Sequence, residues 1–457
     1  MKLNNELLPH QKAAVEKLKK LKVGALFMEQ GTGKTITALE LVRLRYEKGK
    51  INNVIWLCPC SAKNNIKQEI KKQAPLELQR IFIICGIETL SSSIRANSFL
   101  LKLVNEKECF LIVDESLLIK NFNALRTKNI LRLAEKCRYK LILNGTPISR
   151  NETDLFSQFY MLDWRILGYR SYYSFAANHV ELDDYGRFRK SLNTDYLSEK
   201  MAPYTYQVSK SECIALPNKK YYIEYFDLTK KQTEEYAQDA EILMLNINEF
   251  RSETIYRLFS GLQAVLSGKR LIFSKNKLHF ESEELFDNPR DNPRINALLS
   301  ILTSEKTIIF CQYESEVSQV CNILGNDAVR FDGTMTNKQR TENLKKFAKD
   351  KKYLVANRAC ASYSLNLQFC HKIIYLSNGW DLGTRLQSED RVHRLGQTED
   401  VEIIDICAEG TLDERIIYSL NKKERILDSI KSEIADKNIV DVLNHMIYAK
   451  DGLTELD

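Results

Sequence analysis

The sequence lacks the segments that would place the chain in a membrane or on a secretory route. No apolar run reaches the roughly 18 residues that a membrane-spanning helix needs. The first residues, MKLNNELLPHQ, contain no apolar stretch of the kind that a signal peptide requires. We therefore expect no membrane association and a cytoplasmic location, or the host cytoplasm if the chain is viral.

The eleven cysteines lack the spacing of a metal site or of a disulfide framework. They are scattered, no C-x-x-C pair occurs, and the closest two are Cys58 and Cys60. Several fall in apolar runs such as IIFCQ and IIDIC, where a thiol acts as a small hydrophobic group. The pattern predicts reduced, structural cysteines in a reducing compartment.

A large excess of charge of one sign is also missing. The 67 Lys and Arg residues oppose 60 Asp and Glu residues, which leaves a net charge of +7 and a pI of about 8.6. This mildly basic balance permits a polyanionic partner without requiring one. The 457 residues, 44% of them hydrophobic, suit two or three folded domains.

Short apolar runs alternate with longer amphipathic stretches twice along the chain. Runs of four to six apolar residues without strict alternation are typical of strands buried on both faces, and hence of parallel sheets. These runs span residues 23–28, 54–59, 81–85, 110–115 and 140–145, and then 307–312, 328–333, 353–357, 372–377 and 401–407. The pattern predicts an α/β protein with two parallel-sheet lobes.

The middle of the chain has a different pattern, in which tyrosines, charges and helical periodicity dominate. We therefore expect four segments. They are a first parallel-sheet lobe over 1–165, a mostly helical insert and linker over 166–290, a second lobe over 291–430, and a helical tail over 431–457.

The stretch MEQGTGKT (28–35) follows the first apolar run and enters a helical pattern. Gly31 and Gly33 let backbone N–H groups close around phosphate oxygens, and the helix N-terminus adds its dipole. Lys34 would reach the β and γ phosphates, and the Thr35 hydroxyl would bind Mg²⁺. Met28 stands where the usual pattern has its first glycine. The stretch predicts an ATP site.

A carboxylate pair follows the fourth apolar run, in FLIVDES. A magnesium nucleotide needs a carboxylate at the end of a neighbouring strand. Asp114 would hold Mg²⁺ through water, and Glu115 would orient and deprotonate the attacking water. An Asp-Glu pair after a strand can also cap the next turn, but together with the phosphate loop it predicts nucleotide hydrolysis.

In their order along the chain, these stretches resemble the motifs of superfamily 2 helicases, and specifically of the Swi/Snf-type DNA-dependent ATPases. The resemblance implies two RecA-like lobes that bind ATP and Mg²⁺, with Gln11 as the adenine reader and Thr32 in the phosphate loop. The similar stretches, from motif Q through I, Ia, Ib, II, III, IV and V to VI, are LLPHQKAAVEKL, MEQGTGKT, CPCSAKNNIKQEI, GIETLSSS, VDESLLIKN, LILNGTPISRNETDLFSQF, TIIFCQYESEV, CASYSLNLQ and RLQSEDRVHRLGQ.

The last stretch places Arg391 and Arg394 three positions apart, a spacing that puts both on one face of a helical turn. By the resemblance they are arginine fingers, which neutralise charge on the transferring γ-phosphoryl group and are worth on the order of 10³–10⁵ in rate. The alternative is a solvated pair of surface charges.

The resemblance also implies a track of contacts to DNA phosphates rather than to bases, because a motor must step over any sequence. Each candidate could instead be an ordinary turn or cap residue. The candidates are Ser61 and Lys63 in motif Ia, Thr89 and Ser91 in motif Ib, Gln312 in motif IV, and Asn366 in motif V.

The sequence departs from the family pattern at two places. Leu117 replaces the motif II histidine, which removes a link to motif III, and Asn144 and Thr146 are the candidates to replace that link. In motif V, Ser362 and Ser364 stand where the family has glycines, which puts the coupling of hydrolysis to movement in question.

The sequence as a whole predicts a monomeric, ATP-dependent translocase on double-stranded DNA, directed by protein partners where targeting is needed. One alternative is a helicase that separates or anneals strands; the lack of a long inserted wedge argues against separation. The other is a nucleotide-regulated DNA clamp with weak hydrolysis, which the complete set of catalytic residues argues against.

Overall fold

The computed structural model describes residues 1–148, 151–182, 188–213, 216–245, 247, 252–274, 279–357, 367–394, 396–422 and 438–448. The chain divides into two compact units, Met1–Leu216 and Pro217–Asp457, which we name the first and second lobe. Each lobe is built around its own parallel sheet.

The first lobe alternates strands with helices. Its strands are β1 (Val23–Met28), β2 (Asn53–Cys58), β3 (Phe82–Gly86), β4 (Cys109–Asp114), β5 (Tyr139–Asn144), β6 (Val180–Leu182), β7 (Phe188–Ser191) and β8 (Thr205–Val208). Its helices are α1 (Pro9–Leu18), α2 (Lys34–Glu47), α3 (Lys63–Gln73), α4 (Leu76–Gln79), α5 (Thr89–Ser92), α6 (Ile94–Glu106), α7 (Leu125–Lys136), α8 (Thr153–Asp163), α9 (Tyr172–His179), α10 (Thr194–Met201) and α11 (Lys210–Cys213). Short 3₁₀ turns span Cys60–Ala62, Ser116–Ile119 and Ala202–Tyr204.

Six strands of the first lobe form one sheet in the order β3-β2-β4-β5-β1-β8, with every neighbouring pair parallel. Along β1, Ala25 and Phe27 face one hydrophobic core while Leu26 and Met28 face the other. Both faces are covered by helices, so the apolar runs need no alternation with polar residues. The short strands β6 and β7 pair separately and antiparallel.

The second lobe repeats the arrangement. Its strands are β9 (Lys219–Phe226), β10 (Lys269–Phe273), β11 (Phe280–Glu284), β12 (Thr307–Cys311), β13 (Ala328–Phe331), β14 (Tyr353–Asn357), β15 (Lys372–Tyr375) and β16 (Val401–Ala408). Its helices are α12 (Lys230–Met244), α13 (Ser252–Leu266), α14 (Pro293–Ile301), α15 (Glu314–Leu324), α16 (Asn337–Lys349), α17 (Leu382–Glu389), α18 (Leu412–Asn421) and α19 (Ile439–Tyr448), with 3₁₀ turns at Pro289–Asp291 and Gly325–Asp327.

The sheet of the second lobe has the order β13-β14-β12-β15-β16-β9 and is parallel throughout, while β10 and β11 form an antiparallel hairpin. A buried arginine ties its helical layer together. Arg294 donates to the carbonyls of Leu266 at 3.0 Å and Leu376 at 2.6 Å, and its guanidinium pairs with Asp413 at 2.5 Å. The pair satisfies a charge that would be costly to bury alone.

The ten predicted apolar runs all contain strands, and the predicted architecture of two RecA-like parallel-sheet lobes is confirmed. The segment 166–290, predicted as one helical insert, is instead divided between the two lobes. This segment contributes β8 to the first sheet and β9 to the second, and the boundary between the two units falls between residues 216 and 217 of the chain. Both strands lie at sheet edges, where polar and tyrosine side chains reach solvent, so their sequences do not have the pattern of fully buried strands. Of the predicted tail, 439–448 is helical, and 431–437 and 449–457 lie outside the described residues.

The cysteines within the described residues are free. Burial raises the pKa of the Cys109 thiol to about 11 and that of the Cys370 thiol to about 12, so these groups stay protonated and act as small apolar side chains. Within the part of the chain that the structure describes, no helix combines the length and the hydropathy that a membrane span needs.

Candidate nucleotide and nucleic-acid site

The phosphate loop lies between the end of β1 at Met28 and the start of α2 at Lys34. Gly31 and Gly33 have φ angles of 87° and 92°, in the left-handed region that favours glycine. A Cβ atom at Gly33 would also lie only 2.2 Å from the Gln11 amide nitrogen. Glycine is therefore required at this position for both its conformation and its space, which is the arrangement that lets backbone N–H groups approach a phosphate.

Helix α1 contacts this loop through its first turn. His10 Nε2 lies 2.8 Å from the Thr32 carbonyl oxygen, and Gln11 Nε2 donates to the same oxygen at 3.0 Å. Gln11 Oε1 accepts from the Leu8 N–H at 3.0 Å. Both ends of the Gln11 carboxamide are thus used within the first lobe, where they fix the loop, and its role as adenine reader stays a prediction. Lys34 Nζ donates to the Met28 carbonyl at 2.7 Å, across the loop.

The carboxylate pair lies at the end of β4, two strands from β1 in the sheet. Desolvation and the adjacent Glu115 charge raise the pKa of Asp114 to about 7, against the opposing effect of the Lys34 ammonium. Glu115 has φ 56°, a left-handed conformation that costs a residue with a side chain about 1–2 kcal/mol. Its N–H donates to Asp114 Oδ1 at 3.1 Å. The lobe therefore holds two crowded carboxylates in a strained turn.

The donor set fits a magnesium nucleotide. Mg²⁺ prefers oxygen ligands, and the first lobe provides the Asp114 carboxylate and the Thr35 hydroxyl at the carboxyl edge of the sheet. A divalent cation would relieve the repulsion that raises the Asp114 pKa, because it favours the ionised carboxylate. The left-handed glycines and Lys34 fit the phosphate groups.

Motifs II and III are joined by a buried side chain that the sequence analysis missed. Ser116 Oγ donates to Gln158 Oε1 at 2.6 Å, and Gln158 Nε2 donates to the Pro147 carbonyl at 2.7 Å. Asn144 Nδ2 lies 3.5 Å from the same serine oxygen, so one of the two predicted candidates takes part in the link. Thr146 is exposed. Gln158 lies on α8, near the end of the stretch that resembles motif III, and only its being a polar residue in an apolar part of the helix marks it in the sequence.

The candidate DNA contacts of motifs Ia and Ib lie on neighbouring turns, because β2 and β3 are parallel neighbours. Cys60 Sγ lies 3.5 Å from Thr89 Oγ1, and the Cys60 N–H donates to Glu88 Oε2 at 2.9 Å. A Cβ at Gly86 would lie 2.1 Å from Cys60 Sγ, so the two turns can approach only with glycine there. The carboxyl edge of the sheet thus brings together Ser61, Lys63, Thr89 and Ser91.

In the second lobe, Gln312 follows β12 directly. Its N–H donates to Glu316 Oε2 at 3.1 Å and to Ser377 Oγ at 2.9 Å, and its carbonyl accepts from Asn357 Nδ2 at 3.0 Å. These contacts fix its backbone at the carboxyl edge of the second sheet. The predicted contact Asn366, and the substituted positions 362 and 364, lie outside the described residues.

The spacing of the two motif VI arginines predicts that they share one turn of a helix. The structure differs from this prediction. Helix α17 ends at Glu389, and Arg391 and Arg394 lie in the turns that follow. The Arg391 carbonyl accepts from the Leu367 N–H at 3.1 Å, and Gln397 donates to the Cys370 carbonyl at 2.9 Å. Beyond Glu389 the chain keeps an i→i−4 hydrogen bond, from the His393 N–H to the Glu389 carbonyl at 2.9 Å, and the contacts to the segment around residue 370 join the turns that carry the two arginines to the rest of the lobe.

A buried network anchors the helix that leads into this turn. Arg385 forms a bidentate pair with Asp405, at 2.6 and 3.0 Å, and donates to Glu389 at 2.7 Å. Its guanidinium stacks 3.5 Å from the ring centre of Tyr375. Lys219 adds a second cation on Glu389, at 2.7 Å. Because every charge in the network has a partner of opposite sign, burial is tolerated and the start of the motif VI turn is fixed.

Family comparisons agree with this geometry. Residues 4–149 match the description "Type III restriction enzyme, res subunit", residues 79–272 the "SNF2-related domain", and residues 293–396 the "Helicase conserved C-terminal domain". The fold and the site define a helicase-type ATPase with two RecA-like lobes. Within that class, the SNF2-related and helicase C-terminal matches support a Swi/Snf-type ATPase of helicase superfamily 2.

The following relatives are distant in sequence. The chain is 25% identical over 465 residues to an uncharacterized ATP-dependent helicase of Mycoplasma genitalium, covering 96% of this chain and 44% of that protein. It is 25% identical over 483 residues to a human DNA annealing helicase and endonuclease, covering 97% of this chain and 42% of that protein. A solved Sulfolobus solfataricus SWI2/SNF2 ATPase core in complex with dsDNA aligns over 97% of each chain, with 22% identity and a TM-score of 0.43. The chain thus spans less than half the length of these two curated relatives.

Asp114 should make the stability of the nucleotide-free protein depend on pH. Its folded pKa of about 7 exceeds the ordinary 3.8, so the folded state binds the extra proton and stability falls as pH rises through this window. Asn cannot ionise, so Asp114→Asn should be more stable than wild type by about 1–4 kcal/mol at pH 8, and by less at pH 5. Chemical denaturation without Mg²⁺ at both pH values measures this. Asp350→Asn, in the second lobe, is the control, and a difference independent of pH would contradict the prediction.

Removing the Gln158 carboxamide should destabilise the first lobe. Gln158→Leu keeps the approximate size of the side chain but leaves the buried Ser116 hydroxyl and the Pro147 carbonyl without this partner. We expect a loss of about 1–3 kcal/mol in the free energy of unfolding, measured by chemical denaturation. The matched change Gln68→Leu, at an exposed position of α3, should stay within about 0.5 kcal/mol. If both variants changed the free energy of unfolding equally little, the hydrogen bonds of Gln158 would contribute nothing to stability.

Proposed function

We propose that the chain is an ATP-dependent motor that moves along double-stranded DNA without needing to separate its strands. One observation carries the proposal. The phosphate loop, the Asp114–Glu115 pair and the turns of motifs Ia and Ib all follow the carboxyl ends of strands in one sheet. A single rigid edge therefore presents both nucleotide chemistry and a row of polar groups suited to a phosphate backbone.

The first lobe would bind ATP through the loop and its neighbours. The backbone N–H groups around Gly31, Thr32 and Gly33 would donate to the phosphate oxygens, and Lys34 would exchange its bond to a carbonyl for contacts with the β and γ phosphates. Thr35 and Asp114 would hold Mg²⁺. The cation would supply positive charge that offsets the charge of the phosphates.

Hydrolysis would depend on Glu115 and on the arginines of motif VI. The left-handed turn at Glu115 fixes the direction of a carboxylate that would orient water and accept its proton. Arg391 and Arg394 would act on the γ-phosphoryl group as negative charge spreads over its oxygens. The balanced network under α17 supports this role, because a fixed guanidinium stabilises developing charge without reorganising.

Duplex DNA is the proposed track. Ser61, Lys63, Thr89 and Ser91 would contact backbone phosphates from the first lobe, and Gln312 and Asn366 would do so from the second. Hydroxyl, amide and ammonium donors suit phosphate oxygens and carry no base preference. We propose that the chain acts as a monomer in the cytoplasm and that protein partners direct it.

A strand-annealing activity is the second candidate, because one relative is named a human DNA annealing helicase and endonuclease. Annealing would use the same nucleotide chemistry but would require the chain to bind single strands. A clamp with weak hydrolysis is the third, and the strained turn at Glu115 argues against it, because such a strain is retained where a function uses it.

The motor proposal predicts which nucleic acid stimulates hydrolysis. Phosphate release should be measured with no nucleic acid, with single-stranded DNA, with duplex DNA and with RNA, and duplex DNA should stimulate most. Greater stimulation by single strands would favour the annealing candidate, and no stimulation would favour the clamp. Glu115→Gln is the control for the site, because it keeps the shape but removes the base and should bind ATP without turning it over.

Replacing the motif VI arginines should separate turnover from ATP affinity. Arg391→Ala and Arg394→Ala should each lower kcat by on the order of 10³ with saturating duplex DNA and change the ATP Kd little, because the first lobe provides the main phosphate contacts. Lysine at either position should restore little of the lost kcat, since an ammonium lacks the forked donors of a guanidinium. Near-normal kcat in both alanine variants would contradict the finger role.

A further inference from the structure

A second cationic site lies at the opposite edge of the first sheet. A pocket of about 90 Å³ opens where α1 and α2 end and where β1 and β5 begin. Among the described residues no Asp or Glu lines it, and we name it the basic pocket. The cations that line it around Arg45 are Lys19, Lys20, Lys22, Lys48, Lys50 and Arg138.

Arg45 is the buried member of this group, with 5% of its surface exposed. Its Nη1 donates to the Leu41 carbonyl at 3.0 Å and its Nη2 to the Leu21 carbonyl at 2.9 Å, while its Nε has no partner. Its guanidinium also lies 4.7 Å from the ring centre of Phe110. Burial lowers the pKa of Arg45 to about 10, which is the effect of removing a cation from water without an anion beside it.

Two other buried arginines each have a carboxylate partner, which Arg45 lacks among the described residues. Arg294 pairs with Asp413 at 2.5 Å, and Arg385 pairs with Asp405 at 2.6 Å. Within the described part of the chain, no carboxylate forms an ion pair with Arg45. Backbone carbonyls offset part of its charge, but they are dipoles and carry no net charge.

Two glutamates on the helices that end at the pocket already have partners, and one of these partners is Lys19 of the pocket itself. Glu16 on α1 pairs with Lys19 at 2.5 Å. Glu47 on α2 pairs with the N-terminal ammonium at 2.8 Å and with Arg43 at 2.5 Å. Glu16 therefore balances one of the seven pocket cations. Within the described residues no ion pair balances the other six, and a bound anion would lower the electrostatic energy of the pocket.

We propose that the basic pocket binds a phosphate group. Its volume accommodates one such group, and its surplus of cations suits a small anion of more than one charge. The lysine ammoniums would supply point charges from flexible stems, over the fixed guanidinium of Arg45. The source is either a free phosphate compound or the backbone of a nucleic acid. The pocket is separate from the phosphate loop, because the 14 residues of α2 place it about 20 Å away at the other helix end.

The first experiment uses inorganic pyrophosphate as the probe. All proteins carry Lys34→Ala, which weakens binding at the phosphate loop. The pocket variant adds Lys20→Ala, Lys22→Ala and Lys48→Ala, and the control variant instead adds Lys102→Ala, Lys107→Ala and Lys128→Ala, which are exposed elsewhere on the first lobe. By calorimetry at constant ionic strength, the pocket variant should bind about tenfold more weakly than the parent, or about 1.4 kcal/mol. The control variant should match the parent.

The second experiment distinguishes the source of the phosphate. The dependence of duplex DNA affinity on salt concentration counts released counterions, about 0.9 for each phosphate contacted. If the pocket takes backbone phosphates, the pocket variant should lose about 2–3 from the magnitude of this slope, and the control variant should not. If the pocket variant binds pyrophosphate more weakly but keeps the salt dependence of its DNA affinity, the ligand is a free phosphate compound. If the pocket and control variants behave alike in both experiments, the proposal is overturned.

Discussion

The direction of the strands in the two sheets is the constraint on which the rest of the molecule depends. In a parallel sheet every strand ends at the same edge, so residues far apart in the sequence meet there. In the first lobe this edge receives Met28 from β1, Cys58 from β2, Gly86 from β3 and Asp114 from β4, and each is followed by a turn that carries candidate site residues. The helices on both faces keep the strands buried and rigid, which holds these turns in fixed relation.

That rigidity allows the first lobe to keep a site that is unfavourable in the absence of ligand. Asp114 and Glu115 are adjacent carboxylates, the first with a pKa of about 7 and the second in a left-handed turn. Neither feature stabilises the fold, and both suit a cation and a water molecule that must be positioned. The second lobe is different, since its buried Arg385 is fully paired and adds order rather than strain. The two lobes therefore contribute opposite electrostatic conditions to the proposed reaction.

Sequence pattern predicted the features that depend on periodicity or on local motifs. All ten runs that contain strands, the phosphate loop and the carboxylate pair follow from short stretches, each of which specifies its own structure. The features that it missed depend on contacts between distant segments. Gln158 joins motif II to motif III through side chains 42 residues apart, and the turns that follow α17 are joined to Leu367 and Cys370. The edge strands β8 and β9 were missed because solvent on one side changes their composition.

The two proposed phosphate sites of the first lobe need different chemistry because they lie at opposite ends of α2. At the phosphate loop, the helix N-terminus and the backbone N–H groups around the left-handed glycines would attract an anion, so one lysine beside them would be enough. The basic pocket lies at the helix C-terminus, where the partial charge repels an anion. Binding there requires side-chain cations in number, which is what the pocket contains. Anion binding at the pocket depends on exposed ammonium groups, whereas enclosed backbone groups provide most of the contacts at the loop. Added salt should therefore weaken anion binding far more strongly at the pocket than at the loop.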